Sequence, residues 1–317
     1  MPTVAVTDYT FPDLELERSI LSAGGFDLFS GNNKEIPALQ SLVAEADAVI
    51  TQFAPLNAAV IGAMQRAKVI VRYGIGVDNV DLAAARAKGI PVCNVPDYCI
   101  DEVADHTLAF ILATTRQVVT NSNSLKSGKW ALATSLDQMK ALRDLTVGVV
   151  GFGRIGREVV SRLKAFRCRI LVHDPIAKAS EMEAAGAKSV AFRELLSQCD
   201  VITLHCPSTS ETRGMLNSES LAKTRAGVSI INLARGDLID QDALTSALRS
   251  GHVAAAALDV FSPEPIPLDH PILKMNNVIV ASHIASTSVP AVRKLRETAA
   301  RLALMAINGE SLVNVVN

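Results

Sequence analysis

The stretch Val147–Gly148–Val149–Val150–Gly151–Phe152–Gly153–Arg154–Ile155–Gly156 constrains the fold more than any other part of the chain. A short apolar run ends in G-x-G-x-x-G, and a helix-length amphipathic stretch, Gly153–Phe166, follows it. This spacing gives each glycine a task. Gly151 permits a tight turn, Gly153 lets the backbone approach a ligand closely, and Gly156 lets helix and strand pack against each other. The free N–H groups and positive dipole end at the start of that helix favour a bound phosphate. A second apolar run, Arg169–His173, ends in Asp174, which lies 18 residues after Gly156. A carboxylate there accepts hydrogen bonds from an adenosine ribose and repels a 2′-phosphate. The residues therefore predict a dinucleotide site at Gly151, Gly153, Arg154, Ile155, Gly156 and Asp174, with NAD favoured over NADP.

The same alternation of apolar runs and helical stretches fills most of the chain. One set of runs is Val4–Thr7, Ala48–Thr51, Val69–Tyr73 and Pro91–Val95, with helical patterns such as Ile36–Glu45 and Asp81–Lys88 between them. A second set is Val147–Gly151, Arg169–His173, Val201–His205, Val228–Asn232, Ala254–Asp259 and Val278–Ala281. Its helical patterns are Gly153–Phe166, Glu181–Ala185, Phe192–Cys199 and Gln241–Ser250. Continuous apolar runs suit strands buried on both faces, and their alternation with helices predicts parallel α/β sheets. Two long helical patterns, Ile100–Lys126 and Val289–Asn308, stand after the two sets with no low-complexity linker. A length of 317 residues suits about two domains. A cleft between two such domains would be the default site.

Composition excludes several classes of partner. The net charge is −1 and aromatic residues make up 4%, so neither nucleic acid nor a membrane surface is expected. No apolar run approaches the roughly 20 residues of a membrane span. The chain enters the run Thr3–Thr7 directly, without a basic leader, so a cytoplasmic location is expected. Cys93, Cys99, Cys168, Cys199 and Cys206 are scattered without paired spacing, which predicts packed thiols and no metal.

Three motifs follow runs of the second set. Asn232–Leu–Ala–Arg235–Gly236–Asp237 follows Val228–Ile231, Asp259–Val–Phe–Ser–Pro–Glu264–Pro265 follows Ala254–Leu258, and Ser282–His283–Ile284–Ala285 follows Val278–Ala281. Open parallel sheets bind ligands beyond the carboxyl ends of their strands. An Arg presents a planar fork to a carboxylate, a His gives or takes a proton near neutral pH, and a Glu beside that His favours the imidazolium. Taken singly, each has a plain structural explanation: an ion pair, a loop charge, a core histidine. Together, downstream of a dinucleotide turn, Arg235, Glu264 and His283 are the parts that hydride transfer to a keto acid requires.

These motifs resemble those of the D-isomer-specific 2-hydroxyacid dehydrogenases, a family that includes phosphoglycerate, glycerate and D-lactate dehydrogenases and the C-terminal-binding-protein corepressors. The resemblance covers nearly the whole chain and rests on G-F-G-R-I-G, N-L-A-R-G-D, D-V-F-S-P-E-P and S-H-I-A. It implies a Rossmann-type NAD-binding domain over residues 101–286. It also implies a smaller flavodoxin-like α/β substrate domain, discontinuous in sequence, from residues 1–100 and 287–317. Arg235 would bind the substrate carboxylate and carbonyl, and His283 would be the acid/base with Glu264 as its partner. In Arg72–Tyr–Gly–Ile–Gly–Val–Asp78, the N–H groups of Ile75 and Gly76 would hold the carboxylate. Cys206, Pro207 and Thr212 would line the cofactor, together with Leu233 and Ala234 of the arginine motif. Thr107, Asp259 and His283 would lie near the nicotinamide. Arg72, as a second positive charge, and Tyr98 are secondary substrate-binding candidates. Residues 52–54, 72–78, 97–99 and 284–288 would decide which acid is taken.

Departures from the family pattern refine these expectations. Ser282 stands where the family usually has Pro, and Glu264 stands where formate dehydrogenases carry an amide, which argues against formate. No C-terminal regulatory domain like that of many phosphoglycerate dehydrogenases is expected. The resemblance also implies a homodimer, paired through the region Ile100–Lys126. Two alternatives stay open beside an NAD-dependent D-2-hydroxyacid dehydrogenase: an NAD(H)-sensing, corepressor-like binding protein, and a dehydrogenase of a phosphite- or phosphonate-type oxoacid.

Overall fold

The computed structural model describes residues 2–317. They form two compact units, one from the chain through Tyr98 together with Ser288–Asn317, the other from Cys99–Thr287.

The first unit is built on five strands: β1 (Thr3–Val6), β2 (Asp27–Ser30), β3 (Ala48–Thr51), β4 (Ile70–Arg72) and β5 (Val92–Cys93). All pair in parallel in the order β2-β1-β3-β4-β5, the flavodoxin-like arrangement. Helices α1 (Glu15–Ala23), α2 (Ile36–Val43), α3 (Ala58–Ala63) and α4 (Leu82–Ala87) connect them. The inner strands carry apolar side chains on both faces, and both faces are covered. Leu39, Val43, Val60 and Ile61 pack with Ala5, Val49 and Ile70 on one side. Leu295, Ala299, Leu302 and Ala303 of the closing helix Val289–Asn308 pack with Val4, Val6, Ile50 and Val71 on the other. That helix is also tied by a buried charge. Arg296 donates Nε to Glu17 Oε1 at 2.8 Å and Nη2 to Oε2 at 2.7 Å, and Glu17 is fully buried on α1. Tyr73 donates its hydroxyl to the same carboxylate at 3.0 Å. Burial, followed by the neighbouring Glu17 charge, pushes the Tyr73 hydroxyl well above its ordinary pKa, so it stays a donor.

The second unit holds seven parallel strands: β6 (Thr146–Val150), β7 (Arg169–His173), β8 (Lys188–Ser189), β9 (Val201–Leu204), β10 (Val228–Asn232), β11 (Val253–Leu258) and β12 (Val278–Val280). Their order, β8-β7-β6-β9-β10-β11-β12, is the Rossmann order extended by one strand. Its helices are α5 (Ile100–Thr115), α6 (Val118–Lys126), α7 (Arg154–Lys164), α8 (Ala179–Ala184), α9 (Phe192–Gln198), α10 (Ser218–Ala222) and α11 (Gln241–Ser250). The closing helix of the first unit is α12. On α7, Arg162 joins α5 by reaching Asp101 at 2.6 Å and Asp105 at 2.7 Å.

Two sequence expectations need correction. The pattern Ile100–Lys126 is not one helix. It breaks at Gln117, which adopts a left-handed φ of +50° and separates α5 from α6. The edge strands β2 and β8 were not among the apolar runs, because β2 buries only Leu28 and β8 is the polar pair Lys188–Ser189; the other two edges, β5 and β12, lie in the runs Pro91–Val95 and Val278–Ala281. Among the described residues, no helix is long and apolar enough to cross a membrane, and no cluster of His, Cys, Asp and Glu could hold a metal ion.

Candidate active site

The strand order of the second sheet reverses between β6 and β9, and ligands of open parallel sheets bind beyond such a reversal. The glycine turn follows β6, and His205–Cys206 follows β9. The two segments are in contact. Gly151 adopts φ +100°, and a Cβ there would stand 2.7 Å from the His205 carbonyl. A Cβ on Gly156 would stand 2.1 Å from the Gly151 oxygen, so this glycine lets α7 start against the strand. At Gly153 nothing lies within 4 Å of the position a Cβ would take. Two glycines close the turn and the third leaves open the space a diphosphate needs. Gly153 also begins the 11-residue α7 without a side-chain cap, so its first N–H groups stay available to an anion.

Asp174 braces this turn. Its Oδ2 accepts the Phe152 N–H at 2.6 Å, and its Oδ1 accepts those of Ile176 at 2.8 Å and Ala177 at 2.9 Å. Burial opposes the charge, but these three donors hold the carboxyl below the usual carboxylate range. An ionised carboxylate has about four lone-pair sites, so one remains for a ribose hydroxyl. The residues thus fit a dinucleotide, with Asp174 serving the turn as well as the ligand.

The next wall is the segment 205–213. Burial holds His205 neutral, down to about 3, with its Nε2 on the Thr203 hydroxyl at 2.8 Å. Burial likewise pushes the Cys206 thiol up to about 11, so it is a neutral packing group and no nucleophile. Thr212 donates its hydroxyl to the Pro207 carbonyl at 2.6 Å and accepts the Thr209 N–H at 2.8 Å. Ser208 and Arg213 both reach Asp237 Oδ2, at 2.7 and 3.1 Å, which ties this segment to the arginine motif. Thr107 is fully buried, and its hydroxyl donates to Val103 within α5 at 2.7 Å.

Arg235, Glu264 and His283 come from the ends of β10, β11 and β12. The buried Asn232 shapes the first loop: its side chain donates to the Arg235 carbonyl at 2.8 Å and accepts the Ala234 N–H at 3.0 Å. Leu233 is buried beneath the loop, and Arg235 Nη1 donates to the Ala234 carbonyl at 2.8 Å. Gly236 then lies directly on the glutamate loop, where a Cβ would stand 1.9 Å from the Phe261 carbonyl carbon. Glu264 Oε1 accepts the Phe261 N–H at 2.8 Å, and Oε2 accepts from His283 Nδ1 at 2.8 Å. An ionised carboxylate only accepts, so Nδ1 carries the proton of this bond. Burial raises the Glu264 carboxyl, yet the His283 and Phe261 donors and the nearby Arg235 charge hold it below its ordinary range. Both side chains are half-buried, leaving the ring accessible.

The His283 backbone adopts φ +58°, a conformation that costs a non-glycine residue roughly 1–3 kcal/mol. Asp259, 1% exposed, offsets this strain. Its carbonyl accepts the His283 N–H at 2.7 Å, and its two carboxylate oxygens accept those of Ile284 at 2.8 Å and Ala285 at 2.9 Å. Sequence reasoning placed Asp259 beside the nicotinamide and missed this brace, which no spacing signals. The exposed Ser282 enters this loop.

The first unit holds Arg72, Ile75, Gly76 and Tyr98. Arg72 is buried at the end of β4 with its guanidinium 5.7 Å from the centre of the Phe53 ring. Its Nη1 lies over Gly74, where a Cβ would stand 1.5 Å away. Ile75 and Gly76 are partly exposed, and Tyr98 packs on the first unit's core. Asp8, also absent from the sequence reading, fixes the 52–54 loop: Oδ1 accepts the Gln52 N–H at 3.0 Å and Oδ2 that of Phe53 at 2.8 Å.

Comparison with known proteins fits this geometry. Residues 108–285 match the family model described as D-isomer specific 2-hydroxyacid dehydrogenase, NAD binding domain. The D-3-phosphoglycerate dehydrogenase of Mycobacterium leprae is 38% identical over 280 residues, 88% of this chain and 52% of its own length. The glyoxylate reductase of Korarchaeum cryptofilum is 36% identical over 278 residues, 87% of this chain and 84% of its own. The crystal structure of D-lactate dehydrogenase from Aquifex aeolicus, complexed with NAD and lactic acid, superposes with a TM-score of 0.87 at 28% identity, covering 97% of this chain and 96% of that one. The chain spans about half the length of the phosphoglycerate dehydrogenases it matches. On the matching model, these relatives and the glycine turn that fits the cofactor, the chain belongs to the D-isomer-specific 2-hydroxyacid dehydrogenase family and carries its NAD-binding domain.

Proposed function

We propose that this chain is an NAD-dependent dehydrogenase that interconverts a 2-keto acid and a D-2-hydroxy acid. The observation that carries the reading is the Glu264–His283 bond of 2.8 Å, in the same unit as the NAD turn and beside the loop of Arg235. Bound nicotinamide supplies or takes the hydride at the carbon that bears the oxygen. With Nδ1 occupied by Glu264, His283 Nε2 gives a proton to the carbonyl oxygen in reduction and takes it back in oxidation. Glu264 stabilises the charged ring and keeps its orientation. Arg235 binds the carboxylate and polarises the carbonyl, and the Ile75 and Gly76 N–H groups are further donors to the carboxylate. Arg72 adds positive charge, Tyr98 contacts the acid, and Asp259 keeps the His283 loop in its strained form. Positioning of this kind supplies much of the rate. The domain made of the chain through Tyr98 with Ser288–Asn317 is the substrate domain in this reading.

Cys93, Cys168, Cys199 and Cys206 are free thiols, which supports a reducing, cytoplasmic location. Val118, Leu125, Trp130, Leu132 and Leu136 are exposed on α6 and the segment after it, which supports a homodimer with this stretch in the contact. Most of the apolar side chains of α5 are buried within its own unit.

The test is oxidation of NADH and NADPH with a panel of 2-keto acids, run in reverse with phosphite as an added donor. NADH-dependent turnover of at least one acid is expected. His283→Ala should lower it about 100-fold or more, within the roughly 10²–10⁴ contributed by a positioned acid/base, with NADH binding kept. Near-normal turnover of that variant removes His283 from its role. Silence across the panel, with capture of a protein partner that varies with NADH, replaces the enzyme by an NAD(H) sensor.

A further inference from the structure

We propose that Asn94, at the end of β5, is a positioning residue that aims the Gly76 N–H at the substrate carboxylate. The inference rests on the reading that this N–H binds the carboxylate, and it adds what holds the group in place.

The loop after β4 runs alongside the residues that follow β5. The Val95 N–H donates to the Gly74 carbonyl at 2.9 Å, continuing the pairing of the strands. One step further, Asn94 Nδ2 donates to the Ile75 carbonyl at 2.7 Å. Only the amide nitrogen of that side chain can do so. In a trans peptide the carbonyl of one residue and the N–H of the next point in opposite directions. A side chain that fixes the Ile75 oxygen therefore also fixes the Gly76 N–H, which is turned away from Asn94. Among the described residues, neither the Ile75 nor the Gly76 N–H meets a backbone carbonyl. Both residues are partly exposed, while Asn94 is only 9% exposed.

This peptide needs an outside hold. Gly74 and Gly76 flank Ile75, and glycine lets the backbone on either side rotate at little steric cost. Gly74 itself sits at φ +148°. No strand or helix bond restrains the 75–76 plane, so without Asn94 the plane could turn and withdraw its donor. Asn94 is itself anchored, its own N–H donating to the Asn314 carbonyl at 3.2 Å. A buried asparagine that merely satisfied its own polarity would have no effect on substrate affinity.

Asn94→Asp is the decisive variant because it keeps the shape. Its ionised carboxylate faces the Ile75 oxygen as a second acceptor, whereas its protonated form can donate. The KM for the keto acid should rise about tenfold at pH 8, the scale of one lost buried hydrogen bond, and fall back toward the parent value as pH drops toward 5. The Kd for NADH should stay within about twofold and kcat should change less than KM. Asn94→Ala should show the raised KM without this pH dependence. A parent-like KM across pH in Asn94→Asp overturns the proposal, and so does an equal loss in KM, kcat and NADH binding. A crystal structure of Asn94→Asp at pH 8 gives a reading without substrate: a rotated 75–76 peptide supports the role and an unmoved one overturns it. A parent that reduces no 2-keto acid would sink the proposed function, and Asn94 would then stand or fall on that peptide plane.

Discussion

Gly236→Ala is a one-methyl change that should damage the proposed activity out of proportion to its size. The new Cβ would lie 1.9 Å from the Phe261 carbonyl carbon, 2.0 Å from its oxygen and 2.5 Å from its Cα. Ordinary contact needs about 3.5 Å, so one loop must retreat by about 1.5 Å. The obstacle is backbone on both sides, so no rotamer change relieves it. Overpacking of this kind costs about 1–3 kcal/mol, and in a unit of this size each kcal/mol lowers Tm by about 2–4 °C. The expected fall is therefore about 2–12 °C. The displaced groups are Arg235, immediately before Gly236, and the Phe261 N–H that holds Glu264. A misplacement near 1 Å costs roughly 100-fold in rate, so kcat/KM should fall by about that factor. NADH affinity should fall less than kcat/KM, since the turn at Gly151–Gly156 is built by other strands and only Leu233 and Ala234 of the cofactor-lining residues adjoin the displaced loop. Calorimetry and steady-state kinetics read both quantities. A variant with Tm within about 1 °C and kcat/KM within about threefold of the parent would refute the idea that this glycine seats the arginine loop on the glutamate loop.

Asp174→Asn tests the brace of the glycine turn and its pH dependence. The folded carboxyl lies below its ordinary 3.8, so it contributes stability above that value, and the contribution is lost as pH falls through the folded value. Acid melts below about pH 4 should thus be less steep in the variant, and NADPH should gain on NADH in binding; parallel acid melts with unchanged cofactor preference would count against both roles. Leu136, 81% exposed, is the residue to alter for the proposed homodimer: the parent should sediment as a dimer and Leu136→Asp toward a monomer, and a monomeric parent or an unchanged species counts against the proposed contact.

The inner strands of both sheets were legible because burial on two faces demands continuous apolar sequence, as in Arg169–His173 and Val228–Asn232. The edge strands β2 and β8 were not, since β2 reads Asp–Leu–Phe–Ser with only Leu28 buried and β8 is the polar pair Lys188–Ser189, whereas the edge strands β5 and β12 lay in apolar runs. The break at Gln117 carries neither Gly nor Pro and so left no mark in the periodicity. The glycine turn was legible in detail, because Gly151 and Gly156 answer steric demands that only glycine meets and Gly153 leaves space for a ligand. Asp8, Asn94 and the Asp259 brace were not. Their partners are backbone groups brought close by the fold, and a backbone N–H or carbonyl looks alike at every position. Sequence shows which side chains can do chemistry more readily than it shows what keeps them still.

The closing helix has a consequence for how the protein is made. The first unit begins at the start of the chain, yet its core includes Leu295, Ala299, Leu302 and Ala303. While Cys99–Thr287 is being synthesised, at roughly 5–20 residues per second, the five-stranded sheet waits on the order of 10–40 s with one apolar face lacking its closing helix. Glu17 waits as well, a carboxylate destined for burial whose Arg296 has not yet been translated. The second unit is contiguous and can fold as it emerges. Conditions that slow translation late in the message should therefore expose the N-terminal sheet to chaperones and to aggregation, and leave the nucleotide-binding unit largely untouched.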